Sequence, residues 1–146
     1  IGATGNTSVT GGNITNTAPG RIGNANGSTN VAANGSITNN GTIAGSPVAI
    51  TATGNITNAG NITGGSPVNV TSGGNLTNSG NITGTGNVSV TGANVTNLAP
   101  GNITGNSSTT VSTSGTNGTV FNNGTIGARG NTSLTATRRR SSSVRR

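Results

Sequence analysis

Gly54–Gly73 reads GNITNAGNITGGSPVNVTSG, and this stretch decides the fold. In its second half Val68 and Val70 alternate with Asn69 and Thr71, the period of a half-buried strand. Its first half holds two short triplets centred on Ile56 and Ile62. The spacing predicts three strands, at Asn55–Thr57, Asn61–Thr63 and Pro67–Ser72. Gly, Asn, Ser and Pro stand between them, as turns require. Gly, Asn, Thr and Val are poor helix formers, so helix is disfavoured.

The same unit recurs on both sides. Asn34–Thr53 reads NGSITNNGTIAGSPVAITAT, Gly74–Gly92 reads GNLTNSGNITGTGNVSVTG, and Gly118–Thr137 reads GTVFNNGTIGARGNTSLTAT. Two longer copies, Gly12–Ala33 and Ala93–Ser114, carry the matching runs ITNTAPGRI and VTNLAPGNI, with extra residues placed in turns around Ala18–Gly20 and Ala99–Gly101. The opening GNTSVT resembles only the end of a repeat, so Ile1–Gly11 is expected to be a partial first rung. About six repeats of roughly twenty residues then follow, the period of a solenoid.

Aligned, the repeats give aliphatic columns. The first is Ile14, Ile37, Ile56, Leu76, Val95 and Val120; the second is Ile22, Ile43, Ile62, Ile82, Ile103 and Ile126. A third is expected at Val31, Val48, Val68, Val88, Val111 and Leu134, and a fourth at Ile50, Val70 and Val90. An asparagine column, Asn16, Asn39, Asn58, Asn78, Asn97 and Asn122, follows the first at two residues' distance. Stacked amides can hydrogen-bond along the axis, so this column is read as a structural Asn ladder rather than a ligand-binding stripe. Polar composition alone would suit a disordered tract, but disorder does not hold columns in phase.

The expected fold is therefore all-β: a right-handed parallel β-helix, or triangular β-solenoid, spanning residues 1–137. Three strands make one rung, and rungs stack about 4.8 Å apart. The right hand is the default of parallel crossovers. At roughly 1.5–3 kcal/mol per buried aliphatic side chain, each rung gains several kcal/mol, but only against neighbouring rungs.

Composition narrows the chemistry. The chain has no Asp, Glu, His, Cys, Lys or Tyr. General acid–base catalysis draws on those groups, and metal sites need imidazole, thiolate or carboxylate. Ser and Thr hydroxyls have no side-chain base to activate them. No enzymatic activity, cofactor or metal is expected. No apolar run reaches the length of a membrane span, and no signal peptide is visible. A chain that begins at Ile1 reads as a mature or excised segment.

The unit GNITNAGNITGGSPVNVTSG resembles repeats of filamentous-haemagglutinin-type exoproteins, the large adhesins of two-partner secretion. The shared frame is G-x-I/L-x-N-x-G-x-I followed by an alternating V-x-V-T strand, and it covers nearly all of Gly12–Thr137. The resemblance implies a right-handed triangular β-helix, secreted or held at a cell surface, that serves as shaft or adhesive surface. This chain departs from those adhesins in lacking Asp and Lys.

The last nine residues differ from the repeats. Arg138, Arg139, Arg140, Arg145 and Arg146 sit in RRRSSSVRR, a basic tail at 138–146. It reads as a solvated end, as a contact for anionic polysaccharide, lipid or nucleic acid, or as a cap on the open end of the coil. Specific nucleic-acid binding by the body is not expected, since stacking aromatics are absent. Seventeen N-x-S/T triplets arise from the repeat itself and are potential glycan acceptors. Thr51, Thr71 and Thr91, with Thr137 assigned to the same phase, form an outward row, but the adjacent Ala49, Asn69 and Ser89 break the two-column array that ice binding would use. Phe121 takes an outward position usually held by Thr.

Two functions fit. One is an extracellular structural rod that associates with copies of itself through open solenoid ends. The other is an adhesin module whose polar faces recognise host glycan.

Overall fold

The computed structural model describes residues 1–137. Among them every element is a strand, arranged as three parallel sheets in a β-solenoid of about six turns with about 21 residues per turn. No helix there is long and apolar enough to cross a membrane.

Sheet 1 has seven strands: Thr7–Gly11, Thr29–Ala33, Val48–Ala52, Val68–Ser72, Asn87–Gly92, Ser108–Thr113 and Asn131–Thr135. Sheet 2 has six three-residue strands: Ile14–Asn16, Ile37–Asn39, Ile56–Asn58, Leu76–Asn78, Val95–Asn97 and Val120–Asn122. Sheet 3 has six: Arg21–Gly23, Thr42–Gly45, Asn61–Gly64, Asn81–Gly84, Asn102–Gly105 and Thr125–Ala128. The chain visits sheets 1, 2 and 3 in turn, so each strand pairs with its equivalent one repeat away. The sheet 2 strand runs from Ile56 to Asn58 rather than from Asn55 to Thr57: Asn55 stands outside the strand, and Asn58 is its inward last residue.

The first two aliphatic columns stack in register down sheets 2 and 3. In the central rungs they are sealed: Ile56, Ile62, Leu76 and Ile82 are all at most 1 % exposed. Ile1 continues the second column, since it accepts from Gly23 N at 2.8 Å and donates to Arg21 O at 2.6 Å, which sets it beside Ile22. With Thr7–Gly11 on sheet 1, this is the form the first rung takes.

The third column is corrected by the pairing. Val31, Val111 and Leu134 belong to the fourth column, with Val9, Ile50, Val70 and Val90. The third column runs Thr7, Thr29, Val48, Val68, Val88, Thr109 and Thr132. Thr fills the volume of Val, and inside the coil its hydroxyl finds a backbone partner. Thr29 Oγ1 donates to Ala44 O at 2.6 Å, and Thr109 Oγ1 donates to Gly127 O at 2.6 Å while accepting from Gly105 N at 2.7 Å. Thr7 Oγ1 is buried without a partner. The equivalent carbonyl, that of Gly23, accepts from Arg21 Nε at 3.1 Å instead. Gly23 holds φ at +75°, the only positive φ among the described residues, and a Cβ there would lie 2.0 Å from Thr29 Oγ1.

Extra residues of the longer repeats are absorbed at all three corners, not only around Ala18–Gly20 and Ala99–Gly101. Turns at 24–28 and 114–119 take up the remainder.

Candidate functional site

The inward asparagines form one continuous chain of amides. Nδ2 of Asn16 donates to Oδ1 of Asn39 at 2.8 Å, and the same bond recurs from Asn39 to Asn58, Asn58 to Asn78, Asn78 to Asn97 and Asn97 to Asn122 at 2.7–2.8 Å. The second Nδ2 hydrogen is satisfied by backbone carbonyls; that of Asn58 reaches Gly60 O at 3.2 Å and Asn81 O at 3.1 Å. Asn39, Asn58, Asn78 and Asn97 are fully buried. Every polar atom of these four side chains is used within the coil, so they offer nothing to a ligand. Their neighbours in sequence are as constrained. Gly60 and Gly80 turn the chain from sheet 2 to sheet 3 so tightly that an added Cβ would stand 2.1 and 2.0 Å from the carbonyl oxygen of the preceding rung's glycine.

The outside carries columns too. On sheet 2 the outward residues are Thr15, Thr38, Thr57, Thr77, Thr96 and Phe121. Phe121 is 55 % exposed and stands in the Thr column. On sheet 1 the outward row is Thr51, Thr71 and Thr91, continued by Ser112 and Thr135. Thr137, assigned to this row from its sequence phase, instead donates its N–H to Thr113 Oγ1 at 2.9 Å. The chain there has already left the strand, which ends at Thr135. Most asparagines of the N-x-S/T triplets are exposed, in each Asn-Ile-Thr triplet the Ile takes the inward position, and none of the ladder asparagines begins such a triplet.

A feature with an open concave form lies at the corner between sheets 3 and 1. Two cavities, of about 410 and 280 Å³, follow one another along the axis. The smaller spans the first rungs and includes Arg21, Ala44, Thr63 and Thr85; the larger spans the last and includes Thr83, Thr104 and Arg129. Gly23, Ala44, Thr63, Thr83, Thr104 and Gly127 pair in register, so the two cavities share one straight floor. At about 4.8 Å per strand the trough is about 24 Å long. Nothing in the sequence reading singled it out. Small residues leave it open, and a missing side chain carries no motif; the two arginines that mark its ends lie in different repeats.

Arg138, Arg139, Arg140, Arg145 and Arg146 lie outside the described residues. Among the described residues there is no cluster of His, Cys, Asp or Glu able to hold a metal. Comparison with protein-family models, curated proteins and solved structures finds no match to this chain. The resemblance to filamentous-haemagglutinin repeats therefore rests on the repeat frame itself.

Proposed function

We propose that this chain is a non-enzymatic extracellular structural protein, a β-solenoid rod that serves as fibre subunit or adhesin shaft and associates with its own copies end to end. The observation that carries the reading is the contrast between the middle and the last rung. The columns that are at most 1 % exposed in the centre end at Leu134, which is 50 % exposed, and at the half-buried Val120 and Ile126. The strands Val120–Asn122, Thr125–Ala128 and Asn131–Thr135 each have one edge unpaired among the described residues. Such edges are templates for further strands, and a second coil with the same spacing matches them. Head-to-tail contacts of this kind do not close and so give filaments. The haemagglutinin-like repeat frame supports the extracellular setting, and the lack of any acid–base side chain supports a mechanical role.

Electron microscopy of the purified full chain tests this. One coil is about 30 Å long; rods several times that length, growing with protein concentration, are expected. Strictly monomeric particles over a wide concentration range would overturn self-association.

A further inference from the structure

The trough between sheets 3 and 1 has the features of a binding site. Its two cavities fall near the size range of ligand pockets, yet they are open and in line, which suits an extended chain rather than a compact molecule. Thr63, Thr83 and Thr104 are half-buried along its floor on consecutive rungs, presenting a hydroxyl about every 4.8 Å. Arg21 and Arg129 are exposed and stand near its opposite ends. The chain contains no carboxylate side chain, so neither guanidinium can be neutralised by one. Arg21 is held in place through Nε on Gly23 O, which leaves its terminal N–H groups for another acceptor.

We propose that this trough binds a linear acidic polysaccharide, one carrying carboxylates and free hydroxyls along its length. The guanidiniums take carboxylates in the two-pronged geometry that suits them, and the Thr column exchanges hydrogen bonds with the sugar hydroxyls between. A peptide is a poorer occupant. The strands that carry Thr63, Thr83 and Thr104 already pair on both sides within sheet 3, so no edge is left along the trough for an added strand. A single-stranded nucleic acid would want stacking rings, and the only aromatic, Phe121, lies on sheet 2. The proposal does not depend on end-to-end association, because one coil contains the whole trough.

Retention of the full chain on immobilised polygalacturonate at about 0.1 M salt, where charges more than about 10 Å apart are largely screened, is the test. The five tail arginines are first changed to Gln together, and retention is expected to persist. In that background Arg21→Gln with Arg129→Gln is expected to weaken binding about tenfold, the loss of one or two charge-assisted hydrogen bonds. Thr83→Val with Thr104→Val is expected to weaken it several-fold without changing charge. Arg129→Gln alone serves as the variant least able to disturb folding, since Arg129 is exposed, and circular dichroism checks each protein. Loss of all retention on changing the tail would overturn the proposal. So would equal retention on polyphosphate or polyglutamate, which offer charge without sugar hydroxyls, or unchanged binding in the Thr variants.

Discussion

Asn58 uses its whole side chain inside the coil. Its Oδ1 accepts from Asn39, its Nδ2 donates to Asn78, and two backbone carbonyls share the remaining hydrogen. Asn58→Ala would leave the Asn39 amide without its acceptor and the Asn78 oxygen without its donor, both in a dry interior. Each such loss costs about 1–3 kcal/mol, so a destabilisation of roughly 2–6 kcal/mol is expected in denaturant unfolding. Asn69, an exposed residue on sheet 1, is the matched control, and Asn69→Ala should stay within about 0.5 kcal/mol. The position of the Asn column could be read from the chain because each member sits two residues beyond an aliphatic one. The Thr members of the third column could not. Thr29 and Thr109 look like surface residues until a carbonyl across the lumen, Ala44 O or Gly127 O, is seen to accept from them.

At the scale of the element, a rung is an interchangeable part. Removing Gly54–Gly73 would join Thr53 to Gly74, and Ile37 would then face Leu76 where it had faced Ile56. All three sheets lose one strand and keep their register. The shortened protein is expected to give the same circular dichroism spectrum and one cooperative melt, at lower stability because one set of interfaces is gone. Deleting only Asn61–Gly64 removes a strand from sheet 3 alone, and that protein should lose the cooperative transition. The three-strand rung was legible in the spacing of Ile56, Ile62 and Val68, since turn residues punctuate it. The register of the third column was not. Thr29, Thr109 and Thr132 stand there in place of Val, so the first aliphatic residue of each of those strands, Val31, Val111 or Leu134, reads one column away from its true neighbours. The trough escaped for a different reason: it is a space, and part of its floor is small, since Ala44 and Gly127 stand in the outward column of Thr63, Thr83 and Thr104.

For the whole molecule, the composition sets an unusual response to acid. Acid unfolding needs groups whose protonation differs between folded and unfolded chains. This chain has no Asp, Glu, His, Cys, Tyr or Lys to supply them. The guanidinium unfolding midpoint is therefore expected to be flat between about pH 4 and about pH 6.5, a range in which the remaining ionisable groups do not titrate. A midpoint that moves by more than the scatter of repeated titrations would mean that something other than the native stack governs stability. Heat and mechanical load, which act on burial and hydrogen bonding, remain the relevant stresses for such a rod.

The five amide bonds from Asn16 to Asn122 all point the same way, each N–H toward the later rung. Strand dipoles in the surrounding sheets largely cancel, but these amide dipoles add, and each polarises the next. A coil whose rungs look alike is thus electrically a vector, positive toward Asn122 and negative toward Asn16. Two coils joined end to end in the same sense prolong that vector; two joined end to end in opposite senses set like poles together. Any filament built from this chain inherits a direction from a single buried row of amides.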